Sequence, residues 1–252
     1  MKKFKLINLV YLTALLTTSL IACKSTNSAT SSLSRLNLQN IVDAESKTEF
    51  QPVCLNKAES KTAFVYLHGM DIADVSAQEK TNREKLIRIA QKLKVSVIVP
   101  RAISICPTNT NQICWGWKFD TAQLVIVKER ISSAIKACGA EKIIAVVGFS
   151  NGGYAVNALH SHCAGDTFGQ LISIGAMMNT QVTSLKYNQG CAGQMVRLIG
   201  KQDSFNSSPA AIKLVVDNKL EKLIQILEFD GGHEIPESLL EVQLQNRLKQ
   251  IN

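Results

Sequence analysis

Ile143-Ile144-Ala145-Val146-Val147-Gly148-Phe149-Ser150-Asn151-Gly152-Gly153 is the stretch on which the fold turns. Five apolar, mostly β-branched residues in a row read as a strand buried on both faces. The Gly-x-Ser-x-Gly that follows reads as a sharp turn. Beyond it, residues 153–162 have helical spacing. A strand that reverses directly into a helix needs small residues on either side of the turn, because the chain doubles back on itself and the residue at the tip is strained.

Outward from this unit the same alternation repeats. Ala63 to Leu67, Val95 to Val99, Leu171 to Ile174, Met195 to Ile199 and Leu223 to Phe229 are further apolar runs of strand length. Helical patterns fall between most of them. In the clearest, Leu86, Ile87, Ile89, Ala90 and Leu93 face one way, with Arg83, Glu84, Lys85, Arg88 and Lys92 on the other. Further helices are predicted at about 120–138, 209–221 and 237–250. Such alternation predicts an α/β fold with a mostly parallel sheet and helices on both faces, since each right-handed crossover needs a connecting helix. No repeat and no second domain is read, and no insertion between strands is long enough for a lid.

Composition sets the outer limits. The chain has 252 residues, 46% of them hydrophobic and 6% aromatic, which excludes wholesale disorder and low-complexity architectures. Twenty-eight Lys and Arg against 20 Asp and Glu give +8. Three of the lysines, Lys2, Lys3 and Lys5, precede an uncharged run from Leu6 to Cys23 with the layout of a secretory signal. The apolar part is short for a bilayer span, which needs about 20 residues. Leu20-Ile21-Ala22-Cys23 resembles the lipobox of bacterial lipoproteins, which implies that Cys23 becomes the lipidated first residue and that residues 1–22 are removed. An ordinary signal cleaved near Ala22, or an uncleaved anchor, is the alternative. Without residues 1–22 the net charge is +5. Residues 23–45 read as the lipidated cysteine and a Ser/Thr/Asn-rich tether, and 46–252 as the folded domain. The remaining cations are scattered singly, so the stripe that marks a nucleic-acid partner is missing.

With Cys23 set aside, Cys54, Cys106, Cys114, Cys138, Cys163 and Cys191 form an even set. In an oxidising compartment this predicts up to three disulfides, with 15 possible pairings. Cys106 and Cys114 are the favoured pair, because they close a short loop at little entropic cost. Spacing of the Cys-x-x-Cys kind is absent, which speaks against thioredoxin-like chemistry and zinc ribbons. No cofactor or metal is expected.

In open parallel sheets, functional residues collect beyond the carboxyl ends of the strands. Ser150 is at such an end. Its hydroxyl is a weak nucleophile and needs an imidazole to take its proton. His160 and His162 lie on the following helix and read as structural or surface residues. His233, in Phe229-Asp230-Gly231-Gly232-His233, follows the last predicted strand, where the chain order Ser, acid, His places a base. Asp203 follows the strand Met195 to Ile199 and is the favoured acid; Asp230, three residues from His233, is its rival. Phe64-Val65-Tyr66-Leu67-His68-Gly69-Met70 brings a His-Gly pair to the end of the first strand. This pair resembles the oxyanion loop of esterases and lipases, which implies that the backbone N–H of Met70, or that of Gly69 in its place, joins that of Asn151 as oxyanion donor and that His68 orders the loop.

On these motifs the chain resembles the serine hydrolases of the α/β-hydrolase superfamily. His-Gly-Met, Gly-Phe-Ser-Asn-Gly-Gly and Cys114-Trp115-Gly116-Trp117 are similar to segments of secreted esterases related to polyhydroxybutyrate depolymerases and feruloyl esterases. The resemblance implies a lidless esterase with Ser150 as nucleophile, His233 as base and Asp203 as its orienting acid. The substrate would be a small or oligomeric ester. His68, Gly69, Trp115 and Trp117 are candidate pocket residues, although the two tryptophans fit equally well as packing beneath the loop. Ser-Asn-Gly-Gly also resembles the turn of prolyl-oligopeptidase-type peptidases. A non-catalytic binding lipoprotein on the same fold is the third reading. Location in the bacterial envelope follows from the lipobox resemblance, and Lys24 after Cys23 mildly favours the outer membrane.

Overall fold

The computed structural model describes residues 52–72, 76–105, 114–118, 120–162, 164–177 and 194–251. The leader, Cys23, the tether to residue 45, and Cys106, Cys163 and Cys191 lie outside the described residues.

Among the described residues there are ten strands: β1 (Val53–Leu55), β2 (Thr62–Leu67), β3 (Asp71–Ile72), β4 (Ser96–Val99), β5 (Ile103–Ser104), β6 (Cys114–Gly116), β7 (Lys142–Phe149), β8 (Gln170–Ile174), β9 (Met195–Gly200) and β10 (Ile224–Phe229). The helices are α1 (Ala77–Leu93), α2 (Thr121–Cys138), α3 (Asn151–Ser161), the single turn α4 (Gly165–Phe168), α5 (Ser208–Asp217) and α6 (Glu237–Ile251). Seven strands make the main sheet in the order β1-β4-β2-β7-β8-β9-β10. Only β1 runs antiparallel to its neighbour. β7, the strand of the opening stretch, lies at the centre, and the serine turn therefore stands over the middle of the sheet.

The pleat sends alternate residues to opposite faces. In β2, Ala63, Val65 and Leu67 join Leu124 and Ile131 of α2, Val156 and Leu159 of α3 and Val215 of α5. Phe64 and Tyr66 point the other way, into a second cluster with Leu86 and Ile89 of α1 and Leu240 and Leu244 of α6. Helices on both faces explain why these strands are apolar throughout rather than alternating.

Helix starts are set by local chemistry. Ser76 Oγ accepts from the Glu79 amide, Asp120 Oδ1 from the Gln123 amide and Ser207 Oγ from the Ala210 amide. Each satisfies a donor that the first turn leaves open. The helix predicted at 209–221 stops at Asp217, with Asn218 as its cap and Lys219 at φ 56°.

Two features go beyond the sequence reading, which left the disulfide pairings open. β3, β6 and β5 form a separate three-stranded antiparallel sheet. The second is a disulfide between Cys54 and Cys138, which joins β1 to the end of α2 across 84 residues. Cys114 is also disulfide-bonded, and Cys106, its favoured partner in the sequence reading, lies outside the described residues. Among the described residues no inserted helical segment forms a lid.

Candidate active site

Ser150 caps α3 with φ 51° and ψ −114°, outside the regions open to ordinary side chains. Such a conformation costs about 1–3 kcal/mol and persists only where its surroundings enforce it. They do so here through glycine. A Cβ on Gly148 would strike the Gly152 carbonyl, and one on Gly152 would strike the Leu67 carbonyl. The Ser150 amide donates to the Ile174 carbonyl at 2.9 Å, which ties the turn to the end of β8.

The next residue, Gly175, has φ +57° and lies under His233; a Cβ there would be 3.0 Å from the imidazole Cε1. His233 Nδ1 donates to Asp203 Oδ2 at 2.9 Å. With the proton of the neutral ring on Nδ1, Nε2 carries the lone pair. The ring contacts Phe149, the residue before the serine, at 4.9 Å between centroids, and Phe205 at 5.0 Å. Its backbone is held from α1: Gln78 Nε2 donates to the His233 carbonyl at 3.1 Å, and Lys85 Nζ reaches both Glu234 and the Ile235 carbonyl.

Asp203 has no solvent-exposed side-chain surface. Burial opposes its ionisation, but hydrogen bonds from His233, Asn206 Nδ2 at 2.9 Å and the Phe205 amide at 2.9 Å outweigh it and hold the carboxyl below its ordinary value. Asp230, the rival acid, turns away to Lys201 Nζ at 2.7 Å and is 86% exposed. Asp203 is therefore the carboxylate on His233.

The loop after β2 approaches the serine closely. A Cβ on Gly69 would be 3.4 Å from Ser150 Cβ. His68 is buried; its Nδ1 donates to the Gly69 carbonyl at 2.6 Å, and burial is the main reason its pKa falls below the ordinary value. Trp117 Nε1 donates to the His68 carbonyl at 3.0 Å, and the Trp117 amide donates to Asn151 Oδ1 at 2.5 Å. Trp117, 2% exposed, thus packs beneath the loop rather than lining an open pocket, and His68 is equally enclosed. Trp115 is half-buried, with the Arg101 guanidinium 4.8 Å above its ring. Met70 is 62% exposed at the rim. His160, buried on α3, and His162, bonded to the Ala158 carbonyl of its own helix, take no part in this arrangement.

Asn206 and Phe205 escaped the sequence reading. The available signal was an Asp-x-x-Asn spacing after a strand end, a pattern in which a carboxylate and a carboxamide meet across one turn.

The fold has counterparts among known proteins of low sequence identity. It is similar to a Bacillus cereus carboxylesterase (16% identity, 82% of this chain and 98% of that one, TM-score 0.51). It is also similar to XC6422 from Xanthomonas campestris, described as an a/b serine hydrolase without lid (13% identity, 81% and 95%, TM-score 0.52). The fold is that of an α/β-hydrolase. A Mesorhizobium loti carboxylesterase shares this α/β-hydrolase architecture at 17% identity, over 79% of this chain and 96% of that one, with a TM-score of 0.51. No protein-family model and no curated protein sequence matches the chain.

Proposed function

We propose that the protein is a serine hydrolase that cleaves carboxylic esters through an acyl-enzyme. The observation that carries this reading is the 2.9 Å bond from His233 Nδ1 to Asp203, beyond the carboxyl ends of the strands, where Ser150 is held in a strained turn. The similarity of the fold to that of proteins named carboxylesterases agrees with it.

Ser150 Oγ attacks the ester carbonyl carbon while His233 Nε2 takes the hydroxyl proton, and Asp203 stabilises the resulting imidazolium. Negative charge develops on the carbonyl oxygen, and the amides of Asn151 and Met70 are its donors. The tetrahedral intermediate collapses by breaking the bond to the alcohol oxygen, which receives the proton from Nε2. Water then repeats the sequence on the acyl-serine, giving the acid and free Ser150.

Replacing Ser150 by Ala in the soluble domain abolishes p-nitrophenyl acetate hydrolysis and fluorophosphonate labelling without altering the circular dichroism spectrum. Activity that survives in this variant overturns the assignment. The narrower kinship to polyhydroxybutyrate depolymerases and feruloyl esterases belongs to the same proposal, resting on the His-Gly-Met and Cys-Trp-Gly-Trp segments. So does envelope location through lipid on Cys23, with which the Cys54–Cys138 disulfide agrees, since such bonds persist in oxidising compartments.

A further inference from the structure

Phe205 is 73% exposed, although the turn that carries it is tightly fixed. Its amide donates to Asp203 Oδ1 at 2.9 Å, and Asn206, the next residue, is bonded to Asp203 Oδ2 and the Gly175 carbonyl. The backbone therefore has a role in holding the acid, whereas the phenyl group gains little from folding. Exposed, it keeps most of its apolar surface in water. Its one described aromatic neighbour is His233, edge to face at 5.0 Å. The imidazole thus contacts two phenyl rings, buried Phe149 and exposed Phe205.

The reaction determines what part of the substrate comes to this side. When the tetrahedral intermediate breaks down, the proton on His233 Nε2 passes to the alcohol oxygen. The leaving alcohol must then be within hydrogen-bond reach of that nitrogen. The acyl carbon stays on Ser150, its oxygen directed to the amides of Met70 and Asn151. An exposed group beside the imidazole is accordingly placed to meet the alcohol, which leaves out buried Phe149 and points to Phe205. Resting on the reading of this site as an esterase, we infer that the exposed phenyl face of Phe205 is the platform for the leaving alcohol, and that the preferred substrates are esters of apolar or aromatic alcohols.

Aromatic side chains bury roughly 150–250 Å² when fully covered. A flat alcohol lying over about half of the exposed face would remove on the order of 70 Å² of Phe205 from water, which corresponds to roughly a twentyfold gain in kcat/KM.

A series of acetate esters isolates this contact. Every member gives the same acetyl-enzyme, so deacylation is common and kcat/KM reads the step in which the alcohol leaves. Methyl, benzyl and 2-naphthylmethyl acetate have leaving alcohols of comparable acidity and differ in apolar surface. Wild-type enzyme is expected to prefer the two aromatic members. Phe205→Ala is expected to lower kcat/KM for them by about twentyfold more than for methyl acetate. Phe205→Leu, which keeps apolar bulk, recovers part of the loss. A uniform fall across all three esters overturns the proposal in favour of a role in holding His233, and no change in any of them overturns it as well. Fluorophosphonate titration of the same preparations keeps the two levels apart. A preparation that does not label refutes the esterase reading, whereas one that labels fully and shows a flat alcohol series refutes only the role of Phe205.

Discussion

Replacing Asn206 by Ala tests how the acid of the site is kept ionised in a place closed to water. Asn206 is 3% exposed, and its Nδ2 donates to Asp203 Oδ2 at 2.9 Å and to the Gly175 carbonyl at 3.0 Å. The first bond ends on a charged acceptor and should contribute about 1.5–3 kcal/mol; the second, between neutral groups, about 1 kcal/mol. A loss near 3 kcal/mol in unfolding free energy at pH 7 is therefore expected. Its dependence on pH is the sharper test. The folded Asp203 carboxyl lies below its ordinary 3.8, so the stability it contributes is present above that value and is lost as pH falls through the folded one. Without the carboxamide its folded pKa rises toward the ordinary value. The difference between wild type and variant should then be full at neutral pH and shrink as the pH is lowered through and below 3.8. Urea unfolding at a series of pH values between 7 and 2.5 reads this directly. Because the same carboxylate aligns His233, kcat/KM should also fall, by roughly tenfold to a hundredfold. A difference below about 1 kcal/mol, or one that is constant across the acid range, would refute the view that Asn206 stabilises the charged form.

Two further outcomes concern the scaffold. Burial holds the folded pKa of His68 below its ordinary 6.5, so stability from the neutral ring is complete above that pH and declines as the pH falls toward the folded value; His68→Asn should flatten this part of a melting-temperature profile, and an unchanged slope would assign the decline to other groups. The Cys54–Cys138 bond closes a loop of 84 residues, and a Cys54→Ser, Cys138→Ser double variant should lose roughly 4–5 kcal/mol in urea unfolding, with peptide mapping of non-reduced wild type confirming the pair.

The strands that the sequence disclosed are, with the exception of β10, those with neighbours on both sides. β2, β4, β7, β8 and β9 are buried from above and below, which writes a mostly apolar run into each of them, whereas β10, at the sheet edge with only Ile224 buried, is read from its apolar and aromatic residues Ile224, Ile226, Leu227 and Phe229. β1 escaped notice because it is three residues long, at the edge and largely exposed. β3, β5 and β6 are held by pairing with one another across the chain rather than by any periodicity of their own. Cys54 and Cys138 meet because β1 adds to β4 and α2 packs beside them, a juxtaposition that exists only in the assembled sheet. In the site, Ser150, Asp203 and His233 were legible because each follows a strand, and strand ends can be counted along the chain. Asn206 and Phe205 act through a turn whose geometry is set by Asp203 itself. Trp117, equally at home in a pocket or beneath a loop as far as composition goes, is resolved by one bond from its indole N–H to the His68 carbonyl.

The glycines around Ser150 bear on how such a protein changes over time. Positions 148 and 152 have no room for even a methyl group, because backbone atoms occupy the space on every occasion that the turn is formed. Mutation can therefore destroy this turn but has little scope to modify it. Phe205 and Met70, whose side chains project into solvent at the rim, are under no such restriction. Under the proposed esterase function, substitutions at the rim can change which ester is taken while the reacting atoms stay where they are.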